Sequence, residues 1–202
     1  MSEKLLFISL SLALLLTPGP TNTLLLVGGA TKGLRRSLWL MPAELMGYLT
    51  SIHILAFSLG AVIQHVPAVQ ILLRLTLSLY LALLAVKLWV ARTVDPREEI
   101  VTPTRVFAVT LLNPKAMIFT FVVLPPLAGG HWLSVFPRLA LLSGLILAAS
   151  FCWISLGAAM RTGQVANINP AAIRRFSAAV LLLFAATISS PSLLAFSNNL
   201  NR

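Results

Sequence analysis

Along this chain the apolar residues gather into six runs, at about 5–29, 38–63, 68–91, 106–127, 133–160 and 171–190, with short polar joints between them. Each run is long enough to cross a bilayer as a helix, which takes roughly 20 apolar residues. The first run predicts a helix that cannot be continuous, because Thr17-Pro18-Gly19-Pro20-Thr21 stands near its centre. A proline lacks its N–H and clashes with the carbonyl four residues back, so Leu14 and Leu16 lose their helical partners. In hydrocarbon an orphan carbonyl is costly unless protein, water or a ligand satisfies it. A broken helix at that depth therefore faces protein or lines a cavity. A proline kink absorbed by neighbouring helices is the plainer reading of the same residues.

Composition agrees with the runs. Only 10% of the 202 residues are charged and 58% are hydrophobic, with a mean hydropathy of +0.92. Soluble domains carry about 25% charged residues, so the chain is read as an integral membrane protein. A net charge of +10 would suggest nucleic acid in a soluble protein. Here the basic residues fall between the runs, where they set orientation and meet anionic head groups, and no nucleic-acid partner is implied. Lys32, Arg35, Arg36, Arg92, Arg97, Arg105, Arg161, Arg174 and Arg175 all lie in the first, third and fifth connections, and the second and fourth hold no Lys or Arg. Those three connections are expected in the cytoplasm, with both termini outside. Arg74, Lys87 and Arg138 stand near run ends, shallow enough to snorkel. Trp39, Trp89 and Trp132 sit at run ends as interfacial anchors should, and Trp153 does not. The single cysteine, Cys152, excludes an internal disulfide. The first run lacks an A-x-A cleavage pattern and is read as a retained helix.

The only long polar stretch, around Asp95-Pro96-Arg97-Glu98-Glu99, falls at mid-chain and reads as a cytoplasmic linker between halves 1–95 and 101–202 of one transmembrane domain. Three helices per half make the second half enter the membrane inverted, the arithmetic of an inverted-topology repeat. That symmetry requires a break in the fourth helix, and Asn113-Pro114-Lys115 supplies one, freeing the carbonyl of Thr110. The expected fold is all-α and integral to the membrane: six helices in two inverted halves, the first and fourth broken at proline motifs. Paired breaks near the midplane point to a transport site.

At these motifs the chain resembles the LysE-type amino-acid exporters, including the homoserine and threonine exporters of the RhtB branch. The likeness rests on Pro18-Gly19-Pro20, on Asn113-Pro114-Lys115-Ala116 followed by Phe119 and Leu124-Pro125, and on Tyr80-Leu81 and Gly47. Ser78 and Ala85 depart from it, filling positions where the family favours glycine. The resemblance implies proton-driven export of small amino acids or related metabolites across a bacterial inner membrane. Its partners would be the substrate, protons and the lipid bilayer, with homo-oligomerisation left open and no cofactor or metal.

Glu44 is the only acid well inside a run, and an ionisable group at depth is a functional candidate by default. At 100° per residue it shares a face with Gly47, Tyr48, Ser51 and Ser58, as a cavity-facing stripe would. Pairing with Lys115, or snorkelling, is the structural alternative. His53 falls on the opposite face and reads as a hydrogen-bonded core residue, while His65 and His131 lie in outer joints. Lys115 is too deep to snorkel and must find a carboxylate, open carbonyls or substrate. Asn22 and Asn113 bring donors and acceptors to the two breaks. Helix ends there would favour a substrate carboxylate at their N-termini and an ammonium at their C-termini. The candidate substrate-binding set is therefore Pro18, Gly19, Pro20, Asn22, Glu44, Gly47, Asn113, Pro114 and Lys115, with Glu44 the candidate for proton coupling. An intramembrane enzyme is disfavoured, since H-E-x-x-H and G-x-S-x-G are both missing from the sequence. A channel or an assembly subunit without active transport is the alternative to a transporter.

The loop charges make a direct prediction. Reporter fusions after Arg36, Arg97 and Arg174 should all report the cytoplasm. An outer location after Arg97 would exclude the inverted six-helix arrangement.

Overall fold

The structure, a computed structural model, describes residues 3–90, 101–124 and 132–162, and in the last apolar run residues 175, 178–179, 182–183 and 185–186. Every regular element among the described residues is helical. The first run forms α1 (Glu3–Leu16) and α2 (Pro20–Lys32), which meet at 64°. Gly19 between them is extended, and Pro20 takes the first position of α2, where its missing N–H interrupts no helical bond. At the far end Gly33 has φ 79° and its N–H closes on the Gly29 carbonyl at 3.0 Å. Only glycine adopts that backbone cheaply, and it turns the chain at once into a single helical turn, α3 (Leu34–Ser37). The polar joint expected over 30–37 is thus mostly helical, and its basic residues decorate helix ends rather than an open loop.

Two long helices follow, α4 (Leu40–His65) and α5 (Pro67–Val90), joined at Val66. The fourth run is interrupted as the inverted arithmetic requires: α6 (Pro103–Leu111) and α7 (Lys115–Ile118) are bent by 54°, and α7 runs on as a π turn over Phe119–Val123. Thr102 caps α6 by accepting from the Arg105 N–H at 3.2 Å, with Pro103 next to it in the first turn. The helix therefore starts three residues before the apolar run, and Arg105 belongs to its first turn, not to the linker. The fifth run is one helix, α8 (Trp132–Arg161). Leu34–Ser58 and Val135–Arg161 are long and apolar enough to cross a membrane, and each bent pair has the make-up of a further span. The linker 91–100, the outer joint 125–131 with His131, most of the sixth run, and the side chains of His65, Arg74, Lys87 and Trp132 lie outside the described residues. The count of six spans and the division into halves rest on the sequence.

Packing is reciprocal. The first broken helix lies along α8, and the second lies along α4. Glycines permit both approaches. A side chain on Gly157 of α8 would overlap the Leu26 carbonyl of α2, and one on Gly29 would overlap the Ile154 carbonyl of α8. On α4, a Cβ at Gly47 would lie 2.7 Å from Thr110 Cβ and 2.9 Å from the Phe107 carbonyl of α6. Without a hydrophobic drive between helices in lipid, close backbone contact of this kind is a main source of packing energy. One apolar cluster, with Leu14, Tyr48, Ile52, Phe119 and Ile146, surrounds the breaks, and a second, with Leu25, Leu40, Val106 and Ile154, fills the side toward α3. Ser78, standing at a likely glycine position, donates to the Ala185 carbonyl at 2.8 Å and ties α5 to the last run. Trp39 and Trp89 are exposed, and the Arg175 guanidinium lies 5.7 Å from the centre of the Trp89 ring.

Gly157→Val should lower the melting temperature of the detergent-solubilised protein by several degrees, since overpacking costs roughly 1–3 kcal/mol. Gly144 has open space around it, so Gly144→Val on the same helix should melt near wild type. Equal melting of the two variants would show that the α2–α8 contact does not limit stability.

Candidate functional site

The site begins with a surplus of acceptors. A helix leaves its last four carbonyls without intrahelical partners, and α1 ends at Leu16 inside the bundle. The Thr17 N–H still reaches the Ala13 carbonyl at 3.2 Å, and the Thr17 hydroxyl donates to the same oxygen. The Leu15 and Thr17 carbonyls are met by side chains from three other elements. Asn22, in the first turn of α2, donates its amide to Leu15 at 2.6 Å and to Thr17 at 2.8 Å. Trp153 of α8 donates its indole N–H to Leu15 at 3.3 Å. Lys115 of α7 donates its ammonium to Thr17 at 2.6 Å. A carbonyl oxygen has two lone pairs, so both acceptors are filled. Proline arithmetic pointed to Leu14 and Leu16, but the oxygens gathered by side chains are Leu15 and Thr17. The chain opens at Thr17, and these are the carbonyls turned toward α7 and α8.

The second break is held by Asn113. Its Oδ1 accepts the Lys115 N–H at 3.0 Å, and its amide donates to Thr21 Oγ1 at 3.1 Å and to the Tyr48 hydroxyl at 3.4 Å. The Thr110 hydroxyl donates to the Val106 carbonyl at 2.7 Å and lies 3.2 Å from Thr21 Oγ1. Its one proton is committed to Val106, so Thr21 donates to Thr110 while accepting from Asn113. The Thr110 carbonyl, freed by Pro114, accepts the Asn113 N–H at 3.0 Å in a tightened last turn. Thr21 thus fastens the two breaks to each other.

Glu44 and Lys115 are 1% and 2% exposed, a burial at which a charge needs partners. The Glu44 carboxyl is bonded to the Ser150 hydroxyl of α8. Glu44 and Lys115 act on one another through their charges, yet the hydrogen bonds of each go elsewhere and no direct ion pair joins them. Gly19 lies against the ammonium: a Cβ there would meet Lys115 Nζ at 3.4 Å. Tyr48 is fully buried, and its ring meets Phe119 edge-on at 5.6 Å.

The predicted residues come together unevenly. Pro18, Gly19, Asn22, Asn113, Pro114 and Lys115 all sit at the facing breaks, and Glu44 lies beside them. Pro20 is exposed and acts through the start of α2. Gly47 is at the crossing of α4 and α6, with no room for a ligand against it, so its place is in packing and not in binding. Glu44, Tyr48 and Ser51 share a buried face, but Ser58 is exposed and bonds its own helix at Ile54. His53 is half-buried, with Nδ1 2.6 Å from the Leu49 carbonyl. Sequence reasoning missed Thr17, Thr21, Thr110, Ser150 and the inward turn of Trp153. Ser150 carried a signal, for Ser143, Ser150 and Gly157 recur every seven residues along one side of a largely apolar run. Among the described residues no three His, Cys, Asp or Glu side chains converge as a metal site would require.

A buried polar cluster where two broken helices face each other inside a multi-pass bundle is the architecture of a membrane transporter. The sequence model of the LysE type translocator family matches residues 12–190, and the chain belongs to that family. No curated protein and no solved structure matches it.

Asn22→Leu would leave Leu15 and Thr17 with one donor each, at a cost of about 1–2 kcal/mol. A melting temperature several degrees below wild type is expected, whereas Thr23→Ala, one residue on at an exposed position, should change it little. Matching curves would mean that Asn22 does not hold the break.

Proposed function

We propose that the protein exports small zwitterionic amino acids across the bacterial inner membrane in exchange for protons, alternating access around the two helix breaks. The single observation that supports this most is that Glu44 and Lys115 are both buried, each bonded to a different partner and not directly to the other. An ammonium has three donors, and the Thr17 carbonyl accounts for one of those on Lys115. A substrate carboxylate fits the remaining donors, next to the first turn of α2, whose N-terminus carries no side-chain cap. The substrate ammonium is then left to Glu44, because the Leu15 and Thr17 carbonyls at the end of α1 are already filled.

That assignment produces coupling. Glu44 cannot hold a proton and a substrate ammonium together, so the two compete for one carboxylate. On the cytoplasmic side loss of the proton admits substrate; on the outer side arrival of a proton expels it. Each cycle moves one zwitterion out and one proton in, so a membrane potential negative inside adds to the drive. In this reading both termini are periplasmic, and the halves 1–95 and 101–202 move against one another.

In proteoliposomes loaded with a mixture of small amino acids, an imposed pH gradient should drive accumulation by wild-type protein of at least one of them. Glu44→Gln, which mimics the neutral acid, should bind that substrate more weakly and fail to accumulate it. Proton-driven accumulation by well-folded Glu44→Gln would remove Glu44 as the coupling group, and gradient-independent flux by wild type would favour a channel.

A further inference from the structure

The Ser150 hydroxyl lies between two oxygens. On one side is Glu44 Oε2, and on the other, at 2.7 Å, the Ile146 carbonyl one turn earlier in α8. Ser150 is fully buried, and a hydroxyl carries one proton, which cannot serve both acceptors at once. The arrangement is complete in two ways only. With Glu44 ionised, the Ser150 proton goes to the carboxylate, and the Ile146 carbonyl keeps its ordinary helical N–H. With Glu44 neutral, the carboxyl proton goes to Ser150 Oγ, and the Ser150 proton swings to Ile146. No backbone atom moves between the two.

We infer that Ser150 is a positioning residue for proton coupling, a hydroxyl that reverses its hydrogen bond so that Glu44 stays bonded whether charged or neutral. This rests on the reading of Glu44 as the exchanged group. The proton that reaches Glu44 Oε2 comes from water on the outer side and leaves to water on the inner side; Ser150 only rotates, and its own O–H bond is never broken. A buried carboxyl without such a neighbour would lose its partner in one of the two states, at a cost that would slow or block the cycle. The other groups around it are fixed in kind. Lys115 of α7 is the cation that acts on Glu44, and Tyr48, on the same helix, is the other titratable neighbour. The basic side chains of α2, α6 and α8, namely Lys32, Arg105, Arg138 and Arg161, are all exposed.

The test is a pH titration read in two ways on full-length protein: the protonated-carboxyl band in infrared difference spectra, assigned by its loss in Glu44→Gln, and proton-driven exchange in proteoliposomes. Ser150→Ala removes a hydroxyl and keeps a good helix former, so the protein should fold. Hydrogen bonds to a charged acceptor are the stronger ones, so the ionised carboxylate loses more than the neutral acid. The proton is then held to higher pH, and both midpoints should rise by about one unit. Ser150→Thr, whose hydroxyl makes the same bond to the preceding turn, should return both midpoints toward wild type. Unchanged midpoints in Ser150→Ala, with coupling lost in Glu44→Gln, would overturn the role of Ser150 and leave the exporter reading intact. If Glu44→Gln accumulates substrate as wild type does, or removes no titrating band, the coupling reading fails and the inference fails with it.

Discussion

Inside hydrocarbon, a backbone carbonyl opened by proline has to be met by something, and the core of this structure is organised around that requirement. Pro18 and Pro20 stop α1 in the interior of the bundle, beside the buried Leu14, Leu15 and Thr17. The Leu15 and Thr17 carbonyls draw Asn22 from α2, Trp153 from α8 and Lys115 from α7. Those bonds decide where the second broken helix sits, since Lys115 reaches Thr17 only if α7 begins beside the first break. Asn113 then caps α7 and reaches back to Thr21, so the demand of one break is answered by the capping of the other.

The breaks are soft points by construction, and the helices beside them are not. Each broken helix lies on an unbroken one from the other half of the sequence, and glycine closes each crossing: Gly29 with Gly157 between α2 and α8, Gly47 against Thr110 between α4 and α6. Close backbone contact is stiff because no side chain can yield. The bends lie at Thr17 to Gly19 and at Leu112 to Pro114, beside helices packed backbone to backbone. In the proposed alternating-access cycle the breaks serve as the hinges and the packed pairs as the bodies.

Much of this was legible in the sequence. The apolar runs and their proline interruptions are local signals, and prolines act on the backbone whatever surrounds them. The breaks at Pro18–Pro20 and at Pro114, and the burial of Glu44, Asn22, Asn113 and Lys115, followed from counting. What was not legible depended on which surfaces meet. Gly47 could be read as a residue lining a cavity or as one admitting a neighbour, and only the position of α6 decides for the neighbour. The carbonyls left open by the prolines could be listed, yet those that side chains reach depend on where the unwound chain turns. Thr21 and Thr110 are ordinary small residues of helical runs until the two breaks are laid against each other.

The placing of the two buried charges is the least expected feature. A lysine and a glutamate at membrane depth would be assumed to pair, since a direct ion pair offsets part of the desolvation of both. Here Lys115 is given a carbonyl and Glu44 a hydroxyl. Each is satisfied without a direct bond to the other, and the proposed binding of a zwitterion depends on that difference. A closed ion pair presents no net field to a zwitterion and would have to be broken, at the cost of two buried charges, before a substrate entered. In the proposed mechanism the ammonium and the carboxyl, each with its own partner, take the two ends of a molecule carrying both signs. In that mechanism the carboxyl changes its charge without releasing the lysine, whose bond to Thr17 ties α7 to the first break. On this account the helix breaks matter less as binding groups in themselves than as the means by which two buried charges are kept from each other.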